Sequence, residues 1–369
     1  MSTQTSTPSK PEFREATNLL RGICTFAVIV WHYQHFFYVG TDPGDLDLKS
    51  QPFFKSFEIF YRFGGRAVPV FWCISGLIMT HTYINSSRVS ARTFLVSRIA
   101  RLYPIHLLSL FVVAALQIVS IHKFKESQIY GENDFYHFVL NLFFIQGWGF
   151  NNGHSYNAQT WSVSIEIMVY IIFFLMLKKL QMFKGLGVFF IFLLCISINE
   201  WFDRVVARLF FFECLTYFVT GTLIYFVVKK INTETTKLFK LTINLILLVG
   251  LFGARHFDAL SFDSGSNSWF WVISFFVFLT SQIDGQTFIQ KLKKLRVIGD
   301  LSYSVFLWHI PIQVLIKIAL HESEIRDSYA TSRLFFCFYF LLTYTVGYIS
   351  YKTVEQPAQR YLRQKFIRV

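Results

Sequence analysis

Charge is what this chain has least of. Only 15% of its 369 residues are Asp, Glu, Lys or Arg, against 53% hydrophobic, where a soluble domain carries about 25% charged residues. So little charge cannot clothe so much apolar mass in water, which argues against a soluble globular protein. Cysteine is scarce too. Cys24, Cys73, Cys195, Cys214 and Cys337 are scattered through apolar runs, with no pair at metal-ligand or redox spacing. They read as small hydrophobic side chains, and no metal site is expected. There is no glycine-rich phosphate loop and no HExxH. The opening STQTSTPSKPEFRE lacks the basic start, short apolar core and small-residue cleavage site of a signal peptide. Residues 1–13 read as a polar tail. No internal repeat of the transporter kind is visible.

What the chain has instead is apolar runs near the roughly 20 residues that a helix needs to cross hydrocarbon. They lie at 17–38, 66–85, 102–121, 159–177, 183–198, 207–228, 239–254, 267–281, 297–320 and 332–351. The run at 135–147 is shorter and reads as interfacial or re-entrant. The expected fold is all-α: a polytopic bundle of about ten spanning helices, with one membrane domain over 14–360 and a basic tail over 361–369. With the N-terminus on the cytoplasmic side, the cytoplasmic loops hold 20 Lys/Arg against 3 acids, and the opposite loops 9 against 14. That bias orients both termini to the cytoplasm. The net charge of +13 is then a topology signal and not a nucleic-acid footprint.

Charges inside the spans are few: Arg21, Arg66, Glu166, Glu213, Asp300, Lys317 and Arg333, joined by His32 and His309. Intramembrane polar groups are costly and point to bound or moved species. Arg21 and His32 are 11 residues apart, three helical turns plus about 20°, so they share a face. A neutral imidazole in a dry site suits general-base work; the plain alternative is a histidine bonded to a neighbouring helix. Arg21 could equally snorkel to headgroups. In SRIARLYPIH, Arg98 and Arg101 share a helix face, where paired guanidiniums suit phosphate or pyrophosphate. Juxtamembrane anchoring is the alternative. Tyr103 and Pro104 mark a possible break where a ligand enters. In NAQTWSVSIEIMVY, Glu166 follows Trp161, Ser162 and Ser164, and a buried carboxylate needs a cation or a proton. Arg66, His32 and Arg333 are its candidate partners. Asp300 is a candidate helix cap, His309 precedes the kink expected at Pro311, and Glu355 with Arg360 reads as a helix-end cap.

Taken in order, Arg21 to His32, FWCISGLI (71–78), RIARLYP, WSVSIE (161–166), LSYSVFLWHIPI (301–312) and VEQP (354–357) resemble the acyltransferase-three family of membrane O-acyltransferases. The resemblance spans about residues 14–360. It implies transfer of an acetyl group from cytoplasmic acetyl-CoA, a donor substrate and not a resident cofactor, to a hydroxyl of a surface glycan or glycolipid. The setting is the cytoplasmic (inner) membrane. By the resemblance His32 is catalytic, with Arg21 its partner, and Glu166 and Trp161–Ser162 fall in the family's tryptophan-serine-glutamate segment. Arg98 and Arg101, with Tyr103, fall on the donor side, while Arg66, Trp161, Ser162 and His309 are acceptor-side or structural. Many members carry an acid near Pro69, where this chain has GGRAVPVF. A transporter or flippase for a glycan or anionic lipid is the competing reading, and a non-catalytic sensor with the same fold is a third.

Overall fold

A computed structural model describes residues 12–44, 46–86, 89–205, 210–234, 296–320 and 325–367, with isolated positions between 242 and 278. The expected spans at 239–254 and 267–281 lie essentially outside the described residues, as does nearly all of the 1–13 tail.

The described residues form helices α1 (Glu12–His32), α2 (Phe54–Phe63), α3 (Ala67–Tyr83), α4 (Ala91–Phe124), α5 (Phe135–Leu142) and α6 (Trp161–Val205). They continue with α7 (Phe210–Glu234), α8 (Arg296–Asp300), α9 (Ser302–Ala319), α10 (Arg333–Ser350) and α11 (Gln356–Phe366). No strand occurs among them; Val39 and Asp42 make an isolated bridge. Among the described residues, six stretches are long and apolar enough to cross a membrane: 54–83, 91–124, 158–182, 210–230, 302–319 and 333–366. α1 is not among the six, since Glu12, Arg14, Glu15 and Arg21 dilute its apolar content. At eight residues, about 12 Å, α5 is too short to span.

Side-chain caps start several of these helices where the sequence offers a short polar residue. Ser90 Oγ accepts the Thr93 amide at 3.1 Å to open α4, and Asp134 Oδ1 accepts the His137 amide at 2.8 Å to open α5. Asp300 does not cap α9. Leu301 occupies the cap position without a side-chain bond, and Asp300 instead accepts from Asn18 Nδ2 at 3.4 Å, tying α8 to α1.

Two further expectations are corrected. The turn expected at 178–184, between spans 159–177 and 183–198, is helix: α6 runs unbroken for 45 residues, about 68 Å. Lys178, Lys179, Gln181 and Met182 are good helix formers, and Gly185 and Gly187 cost only about 1 kcal/mol each. A lysine cluster alone is no stop signal. Similarly, α4 continues through Pro104, so the backbone does not break beside Tyr103.

Helix α9 also runs through its proline, Pro311. Proline has no N–H, so the Leu307 carbonyl one turn earlier loses its helical partner. Asn157 Nδ2 takes that place, donating to Leu307 O at 3.0 Å and to Ser109 Oγ at 3.1 Å. Asn157→Leu would leave both acceptors short of a donor in a dry interior, at a cost of about 1–3 kcal/mol. Thermal unfolding in detergent should register it as a clear loss of stability with the helical content intact.

The bundle is locked by close helix crossings. Between α3 and α7, a Cβ on Gly76 would fall on the Phe218 carbonyl, and a Cβ on Gly221 on the Cys73 carbonyl. The crossing is reciprocal and backbone to backbone. Thr80 Oγ1 reaches Thr222 Oγ1 across it at 3.0 Å. In lipid such small-residue contacts supply the packing that hydrophobic exclusion cannot. Around this seam Trp72, Cys73 and Leu77 pack with Ile165, Val169, Phe173 and Phe218. A second cluster joins Val30, Tyr33 and Phe36 to Phe335, Phe336 and Tyr339 of α10.

Candidate active site

Helix α1 carries polar groups into two separate places. At its Arg21 end lies a narrow cavity of about 60 Å³, lined by Arg21, Ser75, Arg101, Ser162, Glu166, Tyr170, Ser302 and Tyr303 among apolar Phe71, Trp72 and Phe306. Glu166 Oε1 accepts from Tyr170 OH at 2.5 Å, one helical turn on. Arg101, Glu166 and Glu355 are the charged groups that act on Arg21. Two guanidiniums and one carboxylate thus line the cavity. Ser302 Oγ is buried without a hydrogen-bond partner among the described residues, so the wall holds polar capacity that they do not use.

Glu166 thus shares its cavity with Arg21 and Arg101, and not with Arg66, His32 or Arg333. Arg66 pairs instead with Glu213 at 4.0 Å. Arg333 is exposed and lies over the Phe53 ring, 5.4 Å from its centroid. Glu355 is no helix-end cap either. It is 4% exposed and accepts from Ser304 Oγ at 2.5 Å, which brings the chain's last acidic residue into the centre. Arg360 stays outside and exposed.

The arginine pair divides. Arg101 lines the cavity, whereas Arg98 lies over the Tyr170 ring at 5.7 Å, with its buried Nε unpartnered. Tyr103 is not in the wall; its ring packs on Phe144 at 5.3 Å and His106 at 6.3 Å. The tyrosines that face the arginines are Tyr170 and Tyr303.

The second cavity, about 290 Å³, is lined by Trp31, Arg62, Phe63, Arg66, Pro69, Trp161, Phe210 and Glu213. Val68 and Trp72 line both cavities, so the two share a wall. Trp72 is held in it by donating Nε1–H to Ser162 O at 3.3 Å, and Trp161 meets it edge-on at 5.9 Å. Arg21 borders the narrow cavity and Trp31 the wide one. Ten residues of helix separate them, about 15 Å along the axis, or half the hydrocarbon thickness of a bilayer.

His32, the last residue of α1, lines neither cavity and is 7% exposed. His309 Nε2 lies 3.1 Å from His32 Nδ1, and His309 Nδ1 lies 2.6 Å from Phe306 O. Gln313 Nε2 donates to His32 O at 2.9 Å, while its Oε1 takes His35 Nδ1 at 3.0 Å. Lys317 Nζ donates to Tyr38 O at 2.5 Å and His35 O at 3.2 Å, placing its charge at the carbonyl end of the α1 segment, where a helix favours cations. His309, Gln313 and Lys317 thus form one stripe of α9, at i, i+4 and i+8, against the end of α1. The pair His32–His309 meets the wide cavity through Trp31, whose ring is 4.7 Å from that of His32. It meets the narrow one through Phe306. Arg21 and His32 share a helix but serve different ends of it.

The sequence reading passed over Trp31, His35, Tyr170, Tyr303, Gln313 and the central position of Glu355. A signal existed for three of them. His35 follows His32 by three residues, Tyr170 follows Glu166 by four, and Gln313 follows His309 by four.

A protein-family model described as an acyltransferase domain matches residues 14–352. No curated protein matches the chain, and no solved structure matches it.

Proposed function

The chain belongs to this acyltransferase family, and from that premise we propose that it moves an acetyl group from acetyl-CoA to a hydroxyl of a surface glycan across the cytoplasmic membrane. Both termini face the cytoplasm in this reading, as the lysine and arginine bias favours.

The observation that carries the proposal is the pair of cavities sharing Val68 and Trp72. The narrow one suits the thin, flexible end of a thioester donor. Arg101 and, beyond Tyr170, Arg98 supply charge for the donor's phosphates, and guanidinium forks are well matched to them. Ser302 Oγ offers a free polar contact. The wide cavity suits a bulkier acceptor arriving from the other side. Its Trp31, Trp72 and Trp161 offer ring faces, and Arg62, Arg66 and Glu213 offer hydrogen bonds.

In this reading His32 takes the proton of the acceptor hydroxyl as its oxygen attacks the thioester carbonyl. The carbon–sulfur bond then breaks, and the proton passes to the departing thiolate, which leaves His32 neutral. Neither charge nor proton is left over. Rapid quench with labelled donor tests the direct route, because label trapped on the protein without acceptor would replace it by an acetyl-histidine intermediate.

Arg101→Ala is expected to raise the donor KM by about tenfold or more, as loss of one charge-assisted contact of ~1.5–3 kcal/mol implies. Arg98→Ala should do less. Steady-state release of free CoA at varied donor concentration checks both. Equal and negligible effects would remove the donor from this end of the bundle. Absence of any CoA release or donor binding, in protein shown to be folded, would return the transporter reading.

A further inference from the structure

We propose that His309 is a positioning residue that fixes which nitrogen of His32 is free to act as a base. The inference rests on the reading of His32 as general base and adds to it a second histidine and a defined proton arrangement.

A carbonyl oxygen can only accept a hydrogen bond. His309 Nδ1, 2.6 Å from Phe306 O, must therefore carry its proton. In a neutral imidazole the other nitrogen is then a bare acceptor, so His309 Nε2 receives a hydrogen at 3.1 Å from His32 Nδ1. That assigns the His32 proton to Nδ1 and leaves Nε2 with its lone pair. Phe306 O is also held by Gln159 Nε2 at 3.2 Å, and Tyr339 OH donates to His309 O at 3.3 Å. Gln313 anchors the His32 carbonyl. Backbone and ring of both histidines are thus held from several helices.

The choice of a second histidine has a physical reason. A carboxylate beside His32 would hold it too, but in a buried site it would also favour the protonated ring and spoil the base between turnovers. A neutral His309 orients His32 without adding charge. When His32 gains a proton at Nε2, its Nδ1–H still donates to His309 and the cation keeps a partner.

The test begins with nitrogen-15 NMR of histidine-labelled wild-type protein, with the His32 signals identified by their loss in His32→Ala. The expected pattern is a protonated Nδ1 and a bare Nε2. His309→Leu removes the ring acceptor and leaves the Val28 backbone as the remaining hydrogen-bond partner of the His32 ring, so a measurable share of the other His32 tautomer should appear. It should also lower kcat by about tenfold to a hundredfold, part of the ~10²–10⁴ that a placed base contributes, with donor KM unchanged. His309→Gln, whose Oε1 can accept from the same Nδ1–H, should restore the single tautomer and most of the turnover. A protonated Nε2 in the wild type, or an unchanged His32 spectrum in His309→Leu, would overturn the proposal. If the tautomer is as assigned but His32→Ala keeps full turnover, the failure lies with the general-base reading and not with the pair.

Discussion

His32→Ala should lower acyl transfer by about 10²–10⁴, the range a positioned general acid–base group supplies, while the protein still folds. His32 lies at the last position of α1. Its ring hydrogen-bonds to His309 and to the Val28 backbone, and touches Trp31 and His35. The backbone bond from Gln313 Nε2 to His32 O survives the substitution. The structural loss is thus two hydrogen bonds and some ring packing, whereas the chemical loss is the base itself. Release of free CoA in nanodiscs, with and without an extract of surface glycans, measures the effect. Donor binding by the same sample verifies that the Arg21 end remains intact. Wild-type turnover in His32→Ala would move the chemistry elsewhere, with Glu166 and Tyr170 the next titratable pair in the narrow cavity.

The second large effect concerns folding. Gly221→Ala is expected to destabilise the bundle by more than the usual ~1–3 kcal/mol of core overpacking. The added Cβ would meet the Cys73 carbonyl and approach the Leu77 nitrogen to 2.8 Å. Side chains can swing away from an intruding methyl, but these are backbone atoms of a facing helix. α3 and α7 would have to part, and the Thr80–Thr222 bond would part with them. Thr80→Val makes the contrast. It removes an interhelical hydrogen bond of about 0.6 kcal/mol and the bond from Thr80 Oγ1 to Gly76 O within α3, but adds no atom to the crossing, and should cost far less. Melting temperature and monodisperse yield in detergent compare the two. A Gly221→Ala protein that melts like wild type would mean that the two helices do not cross at this distance.

Periodicity and composition made much of this architecture legible. Six of the expected apolar runs coincide with membrane-length helices, because a lipid-facing helix must be apolar over a fixed length, and length is visible in one dimension. The alignment of Arg21 with His32 was visible for the same reason. It did not tell that Arg21 borders the narrow cavity while His32 meets His309, since a helix face says nothing about which neighbours it meets. Glu166 illustrates the limit. Its burial was expected, but the arginines that share its cavity come from α1 and α4, and only packing brings them together. Glu355 was harder still, because a carboxylate near a chain end reads as a cap unless one knows that Ser304 lies 2.5 Å away. The unbroken α6 was misread because lysines that mark a membrane boundary are also good helix formers. Hydrophobic length and helical continuity are separate properties, and the sequence displays the first more plainly.

The wall shared by the two cavities has an electrical consequence. A bilayer stores an ion gradient only while it insulates, and any passage for an acyl group is a place where insulation thins. In this protein the thin place is closed by one indole and one isopropyl group, with Trp72 only 1% exposed. A flat ring pinned at its nitrogen to the Ser162 carbonyl can tilt without leaving its post. Such a ring would give hydrated ions nothing to replace their water. Under the proposed transfer, a small covalent group would pass between two compartments without short-circuiting the membrane that separates them.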